Sequence, residues 1–264
     1  MELIHAIILA IIEGLTEFLP VSSTGHMIIA SSLMGLETDD FVKLFTIAIQ
    51  LGTILSVLVL YFKRFFKSLD FYYKLVVAAI PASIFGFMFN DQIDALLESP
   101  LTVGISLVIG GILLLFVDKW FNKPSIDDSD EISYLQALKI GFFQCLALIP
   151  GTSRSASTIV GGMTQGLTKK AAAEFSFFLA IPMMLGATVL KLKKYLDTGA
   201  VLSSKEINLL LIGNIVGFVV AILAIKFFIG VVTKHGFKYF GWYRIVIGGV
   251  IIAMLLSGRS LEIV

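Results

Sequence analysis

Cysteine is almost missing from this chain: Cys145 is the only one in 264 residues, so no intrachain disulfide can form. Charge is scarce too. Asp, Glu, Lys and Arg make up 15% of the residues, against about 25% in a soluble domain. The net charge of +1 gives no basis for binding nucleic acid. No Lys or Arg precedes Lys43, and no small-residue cleavage site follows a basic stretch, so the N-terminal region does not read as a cleavable signal. No His-Glu-x-x-His occurs, which removes the common zinc-protease reading. Histidine is limited to His5, His26 and His235, and tryptophan to Trp120 and Trp242, which stand near the ends of apolar runs where interfacial aromatics are expected.

What the chain has in abundance is apolar sequence: 57% of its residues are hydrophobic and its mean hydropathy is +0.94. A helix needs about 20 apolar residues to cross a bilayer. Six stretches meet that length: Lys43–Phe62, Tyr72–Asn90, Leu101–Trp120, Ala172–Lys191, Ile207–Ile229 and Tyr239–Ser257. Two further apolar regions, Leu3–Gly35 and Tyr134–Gly166, are interrupted by Pro20 with Ser22-Ser23-Thr24-Gly25 and by Pro150-Gly151. Irregular backbone at membrane depth survives only where protein or a cavity surrounds it. The expectation is an all-α polytopic membrane protein of six transmembrane helices plus two re-entrant helical hairpins.

The order of elements occurs twice. Aligning Pro20 with Pro150, an offset of 130, puts Ser23 on Ser153 and Phe45-Thr46 on Phe175-Ser176, and Gly110-Gly111 is echoed by Gly248-Gly249. Residues 1–121 then form one repeat, 122–133 a polar linker and 134–264 a second repeat, all in one membrane domain. A hairpin followed by three crossings inverts the second copy, the pattern of secondary transporters. Lys63, Arg64, Lys67, Lys119, Lys123, Lys169, Lys170, Lys226, Lys234, Lys238 and Arg244 fall on one side, which the positive-inside rule makes cytoplasmic. Lys191, Lys193, Lys194 and Lys205 count against it. Both termini are then outside. The linker reads as a solvated connector, the Gly-Gly pairs as close helix contacts, and Gln50, Gln144 and Asn214 as interhelical hydrogen-bond donors.

The polar residues are concentrated at the two breaks. Glu13 and Glu17, one helical turn apart, can share a proton, serve as general base or hold a hard divalent cation. A half-helix opening at Ser22, Ser23 and Thr24 presents free backbone N–H groups to an anion, phosphate above all. Thr152, Ser153, Arg154 and Ser155 build the same feature in the second half with a guanidinium added, and Thr158 follows Arg154 by one turn. Arg154 suits phosphate or carboxylate; its structural alternative is an ion pair with Glu17 or Glu174. His26, three residues after Ser23, is a candidate acid, base or nucleophile. His5 and His235 read as packing residues, and Glu174 as a cap or a partner of Arg154.

Glu-Gly-Leu-Thr-Glu-Phe-Leu-Pro-Val-Ser-Ser-Thr-Gly-His (13–26) and Pro-Gly-Thr-Ser-Arg-Ser-Ala-Ser-Thr (150–158) resemble the two signature motifs of the undecaprenyl-diphosphate phosphatase family, the bacitracin-resistance proteins. The resemblance runs the length of the chain. It implies hydrolysis of a C55 isoprenyl diphosphate lipid to the monophosphate, recycling the carrier for cell-wall synthesis in the bacterial plasma (inner) membrane. It implies a site opening to the outer side, a divalent cation such as Mg2+ or Ca2+ at Glu13 and Glu17, and functional roles for Glu13, Glu17, Ser23, His26, Ser153, Arg154 and Thr158. Ser22, Thr24, Thr152 and Ser155 join these as substrate-binding candidates at the half-helix starts. Ser23, His26 or water can each be the nucleophile. A homodimer is compatible with the sequence, which does not decide it. The rival reading is a transporter or flippase of a phosphorylated prenyl lipid. The phosphatidic-acid-phosphatase class is excluded because no His-x-x-x-Asp follows Ser153-Arg154.

Overall fold

In a computed structural model the chain is described at residues 1–36, 40–66, 68–97, 99–197, 199, 201–258 and 261. Among these it is helical throughout, with one isolated bridge, Ile126 to Leu167, in place of any sheet. Lys67, one of the charges used for orientation, lies outside the described residues.

The first apolar region forms α1 (Leu3–Thr16) and α2 (Ser23–Met34). Next come α3 (Asp40–Ala48) and α4 (Gln50–Leu60), which together make one apolar column, Phe41–Leu60. Then follow α5 (Leu69–Met88), α6 (Asn90–Leu97) and α7 (Pro100–Trp120). The second half consists of α8 (Tyr134–Cys145), α9 (Arg154–Thr164), α10 (Lys169–Asp197), α11 (Ser204–His235) and α12 (Lys238–Leu256). Six of these columns are long and apolar enough to cross a membrane: 41–60, α5, α7, α10, α11 and α12. The chain is a multi-pass membrane protein.

The spans start where local chemistry allows. Ser99 caps α7 with Pro100 in its first turn, and Ser133 with Gln136 and Ser203 with Glu206 form capping boxes on α8 and α11. α10 and α11 run to 29 and 32 residues, past the apolar stretches expected, because their polar ends, residues 193–197 and 204–206 among them, are also helical. Pro81 and Pro182 lie inside α5 and α10, whereas the chain stops being helical around Pro20 and Pro150. The residues just after each proline make the difference. Ser22 (φ 67°) and Ser153 (φ 74°) are the two non-glycine residues with positive φ among those described, and each directly precedes a new helix. Such backbone costs about 1–3 kcal/mol and persists only when its surroundings enforce it.

The interior is assembled by exchange between halves. α1 packs on α11, α8 on α5, and α7 on α12. The last pair meets backbone to backbone. A Cβ on Gly248 would lie 2.7 Å from the Gly104 carbonyl oxygen, and one on Gly111 would lie 2.7 Å from that of Gly241. Of the Gly-Gly pairs, therefore, Gly111 and Gly248 serve helix packing. Gly110 instead makes room for the Arg244 guanidinium, and Gly249 faces open space.

Two expectations change here. The connector is not merely solvated: Arg64 donates to Asp128, to Ser129 Oγ (2.7 Å) and to Asp130 Oδ1 (2.9 Å), and Lys74 Nζ donates to the Asp130 carbonyl (2.8 Å). Acidic residues in a linker gain by neutralising cations at the ends of neighbouring spans. Of the polar amides, Gln50 bonds Glu13 across the helices as expected, and the other two depart from their expected roles. Asn214 accepts from the Gly52 N–H (2.6 Å) rather than donating across to α4, because the glycine lets the backbones approach. Among the described residues the Gln144 side-chain amide has no hydrogen-bond partner.

Candidate active site

α1 delivers Glu13 and Glu17 to the first break on one face. Glu17 is the residue at which the helix ends, its N–H still bonded to the Glu13 carbonyl (2.9 Å). Glu13 is 1% exposed and lies against Glu17 and Gln50, and its Oε1 is buried without a hydrogen-bond partner.

Ser23 and Arg154 are the first residues of α2 and α9, each placed there by the positive-φ serine before it. Glu17 joins them. Ser23 Oγ donates to Glu17 Oε2 (2.8 Å), and an Arg154 Nη donates to Glu17 Oε1 (2.8 Å). The structural register is thus Ser22 with Ser153 and Ser23 with Arg154, one residue away from the alignment on the prolines. The other arm of Arg154 donates to the Ser176 carbonyl (3.0 Å) and Oγ (3.3 Å), and its guanidinium lies 5.8 Å from the Phe18 ring centre. Glu174 pairs with Arg64 (2.7 Å), on the connector side, and not with Arg154.

Between the breaks lies a cavity of about 360 Å³ whose wall includes Glu17, Ser22, Ser23, Thr24, Ser153 and Arg154. The remaining candidates sit behind it. Thr158 is fully buried and bonds Ser176 Oγ (2.6 Å), so it steadies the group that steadies Arg154. Ser155 donates to the Leu19 carbonyl (2.7 Å), tying one break to the other. Thr152 offers its carbonyl to Arg244 (3.0 Å).

His26 points away from this cavity. Its Nδ1 lies 2.8 Å from the Ser22 carbonyl and its Nε2 2.7 Å from the Tyr243 hydroxyl, with the two rings stacked at 5.4 Å. A carbonyl can only accept, so Nδ1 carries the proton and a neutral ring accepts from Tyr243. The ring borders a separate apolar groove of about 840 Å³ between α1, α11 and α12. Ser23 and His26 therefore do not form a dyad. The same-face rule describes the flank of a helix, and the Ser23 hydroxyl turns back from its first residue across the break.

Arg244 is the residue that sequence reasoning misplaced, counting it among the loop charges. It lies inside α12, 0% exposed, and all five of its N–H groups go to backbone carbonyls. These belong to Pro20 (3.2 Å), Gly151 (3.0 Å), Thr152 (3.0 Å), Ser106 (3.2 Å) and Leu107 (3.4 Å). It ties both breaks to α7. The signal was present: an ionisable residue several positions inside an apolar span is functional by default.

Among the described residues no group of three or more His, Cys, Asp or Glu gathers as a metal site. Of the two glutamates, Glu13 keeps an unpartnered oxygen, Oε1, which is buried behind the cavity wall, while both Glu17 oxygens are engaged.

The sequence also resembles those of known proteins. Residues 6–250 match the family described as bacitracin resistance protein BacA. The chain is 62% identical to the undecaprenyl-diphosphatase of Flavobacterium johnsoniae over the whole of both proteins. It is 64% identical to that of Flavobacterium psychrophilum, covering 96% of this chain and 95% of the relative. It is 53% identical to that of Porphyromonas gingivalis over the full length of both. With both motifs, six spans and a match over nearly all its length, the chain belongs to the BacA family of bacitracin resistance proteins.

Proposed function

We infer that this protein is an undecaprenyl-diphosphatase, a membrane hydrolase that converts the C55 prenyl diphosphate to the monophosphate and inorganic phosphate, and so returns the lipid carrier to cell-wall synthesis and lessens bacitracin's hold on it. Relatives that match it over all or nearly all of their length carry that name. The observation that carries the reading is the bridge at Glu17, which holds a hydroxyl and a guanidinium from two separate helix starts on one cavity wall.

The geometry favours Ser23 as nucleophile. Its proton already points at Glu17, which fits a general base better than His26 does. Arg154 exchanges the carboxylate for the phosphoryl oxygens and stabilises the charge that develops there. A bond forms from Ser23 Oγ to the terminal phosphorus, the bridging P–O bond breaks, and the prenyl monophosphate leaves as Glu17 takes the Oγ proton. Water then cleaves the phosphoserine and releases phosphate, and the Ser23 oxygen recovers its proton. A divalent cation, Mg2+ or Ca2+, would be held by Glu13, whose Oε1 has no protein partner among the described residues, beside Glu17, and would supply charge neutralisation to the phosphate when bound. The apolar groove beside His26 suits the prenyl tail. The clustering of Lys and Arg supports a cytoplasmic face at the connector, with the termini and the cavity mouth outward and the two hairpins re-entrant from opposite sides in an inverted repeat.

Purified protein in detergent should release phosphate from the C55 diphosphate with no second compartment present; binding without release would favour the flippase. A substrate with a chiral thiophosphate terminus tests the nucleophile. Net retention at phosphorus is expected for attack by Ser23, and inversion would mean direct attack by water.

A further inference from the structure

Ion pairs and hydroxyls account for most of the cavity's polar wall, and two amides there take no part in the chemistry above: Gln50, which bonds Glu13, and Gln144. Gln144 lies in the last turn of α8, on the stripe Ala137, Ile140, Gly141 and Gln144 that faces the interior. It is 1% exposed and lines the cavity, yet neither Nε2 nor Oε1 has a hydrogen-bond partner among the described residues. Buried side-chain amides are almost always paired. The backbone holds Gln144 in place: a Cβ on Gly141 would stand 2.3 Å from the Ala78 carbonyl oxygen of α5, so α8 sits as close as it can.

Its position in the chain carries information too. Gln144 stands nine residues before Ser153, just as Glu13 stands nine before Ser22, the two positive-φ serines. The first half places a carboxylate at that position and the second a neutral amide. Glu17 and Arg154 already cancel each other's charge. A group that adds donors without charge can hold an anion without trapping the anionic product.

We propose that Gln144 is a substrate-binding residue for the diphosphate head. Nε2–H donates to a non-bridging phosphate oxygen, and Oε1 accepts from a P–O–H or from water carried on the same phosphate. This rests on the reading that the cavity takes a prenyl diphosphate.

Gln144→Leu keeps the shape and removes the polar atoms. Without ligand it should melt in detergent at or above the wild-type temperature, because an unpaired amide is gone. Its KM for the prenyl diphosphate should rise about tenfold or more, as expected when a hydrogen bond to a charged ligand is lost. Inorganic pyrophosphate should raise the melting temperature of the wild type and not of the variant. A variant with unchanged KM and an unchanged pyrophosphate shift overturns the assignment while leaving the phosphatase reading intact. So does a variant that melts lower without ligand, which would make Gln144 a packing residue. If the wild type shifts with pyrophosphate, the variant does not, and neither releases phosphate, the site stands and the activity falls. If the wild type neither shifts nor releases phosphate, both fall.

Discussion

The two breaks share a backbone and differ in chemistry. Each is a proline-bearing interruption closed by a serine at positive φ, with the next helix starting one residue later. The first presents carboxylates and a hydroxyl. The second presents a guanidinium held from behind by Ser176 and Thr158. One geometric device is thus used twice to aim side chains at a common point, and the asymmetry of charge brings both signs to it. Neither break carries both signs, so the site exists only where they meet.

The strongest test removes one sign. Arg154→Ala and Glu17→Gln should each lower phosphate release by about 100-fold or more, since each deletes a charged group at the developing transition state. Wild-type rates in either variant would break the comparison outright. Next comes the joint between the breaks. Arg244→Lys gives up the planar fork and several of its five bonds, so thermal denaturation in detergent should show a loss of about 3 kcal/mol or more, with activity falling alongside. Thr158→Val sharpens the second break alone. With Ser176 less restrained, Arg154 is less well aimed, and turnover should drop about tenfold at nearly constant KM.

The smallest effect separates the serines themselves. Ser22 makes no side-chain cap bond, whereas Ser153 accepts from the Ala156 N–H (3.2 Å). Glycine relieves positive φ at either place, so Ser22→Gly should melt at or slightly above wild type. Ser153→Gly loses its cap and should be less stable than Ser22→Gly by a few tenths of a kcal/mol. Equal shifts would mean that the caps do not distinguish the breaks.

Much of this was legible in sequence. Hydropathy located the six spans within a few residues, because apolar length has few other uses. Pro20 and Pro150 could be told from Pro81 and Pro182 by the Ser, Thr and Gly just beyond them, residues that suit a turn and a helix start. Glu17 with Arg154 was among the pairings open to a buried cation. What could not be read depends on where side chains point in three dimensions. His26 leaves the cavity because α2 begins at Ser23, and its ring follows the helix flank toward Tyr243. Arg64, read only as a basic residue after a span, gathers three acidic residues from two other segments. Gln144 gives no local sign that its partner is absent.

Arg244 also sets a schedule. In a chain made from its N-terminus, the carbonyls of Pro20 and Thr152 precede by 224 and 92 residues the guanidinium that will hold them. Both motifs are therefore synthesised and inserted long before they can be locked together. The joint between the two breaks is completed only once α12 has been made. A chain stalled before that helix would carry every signature residue and remain without activity.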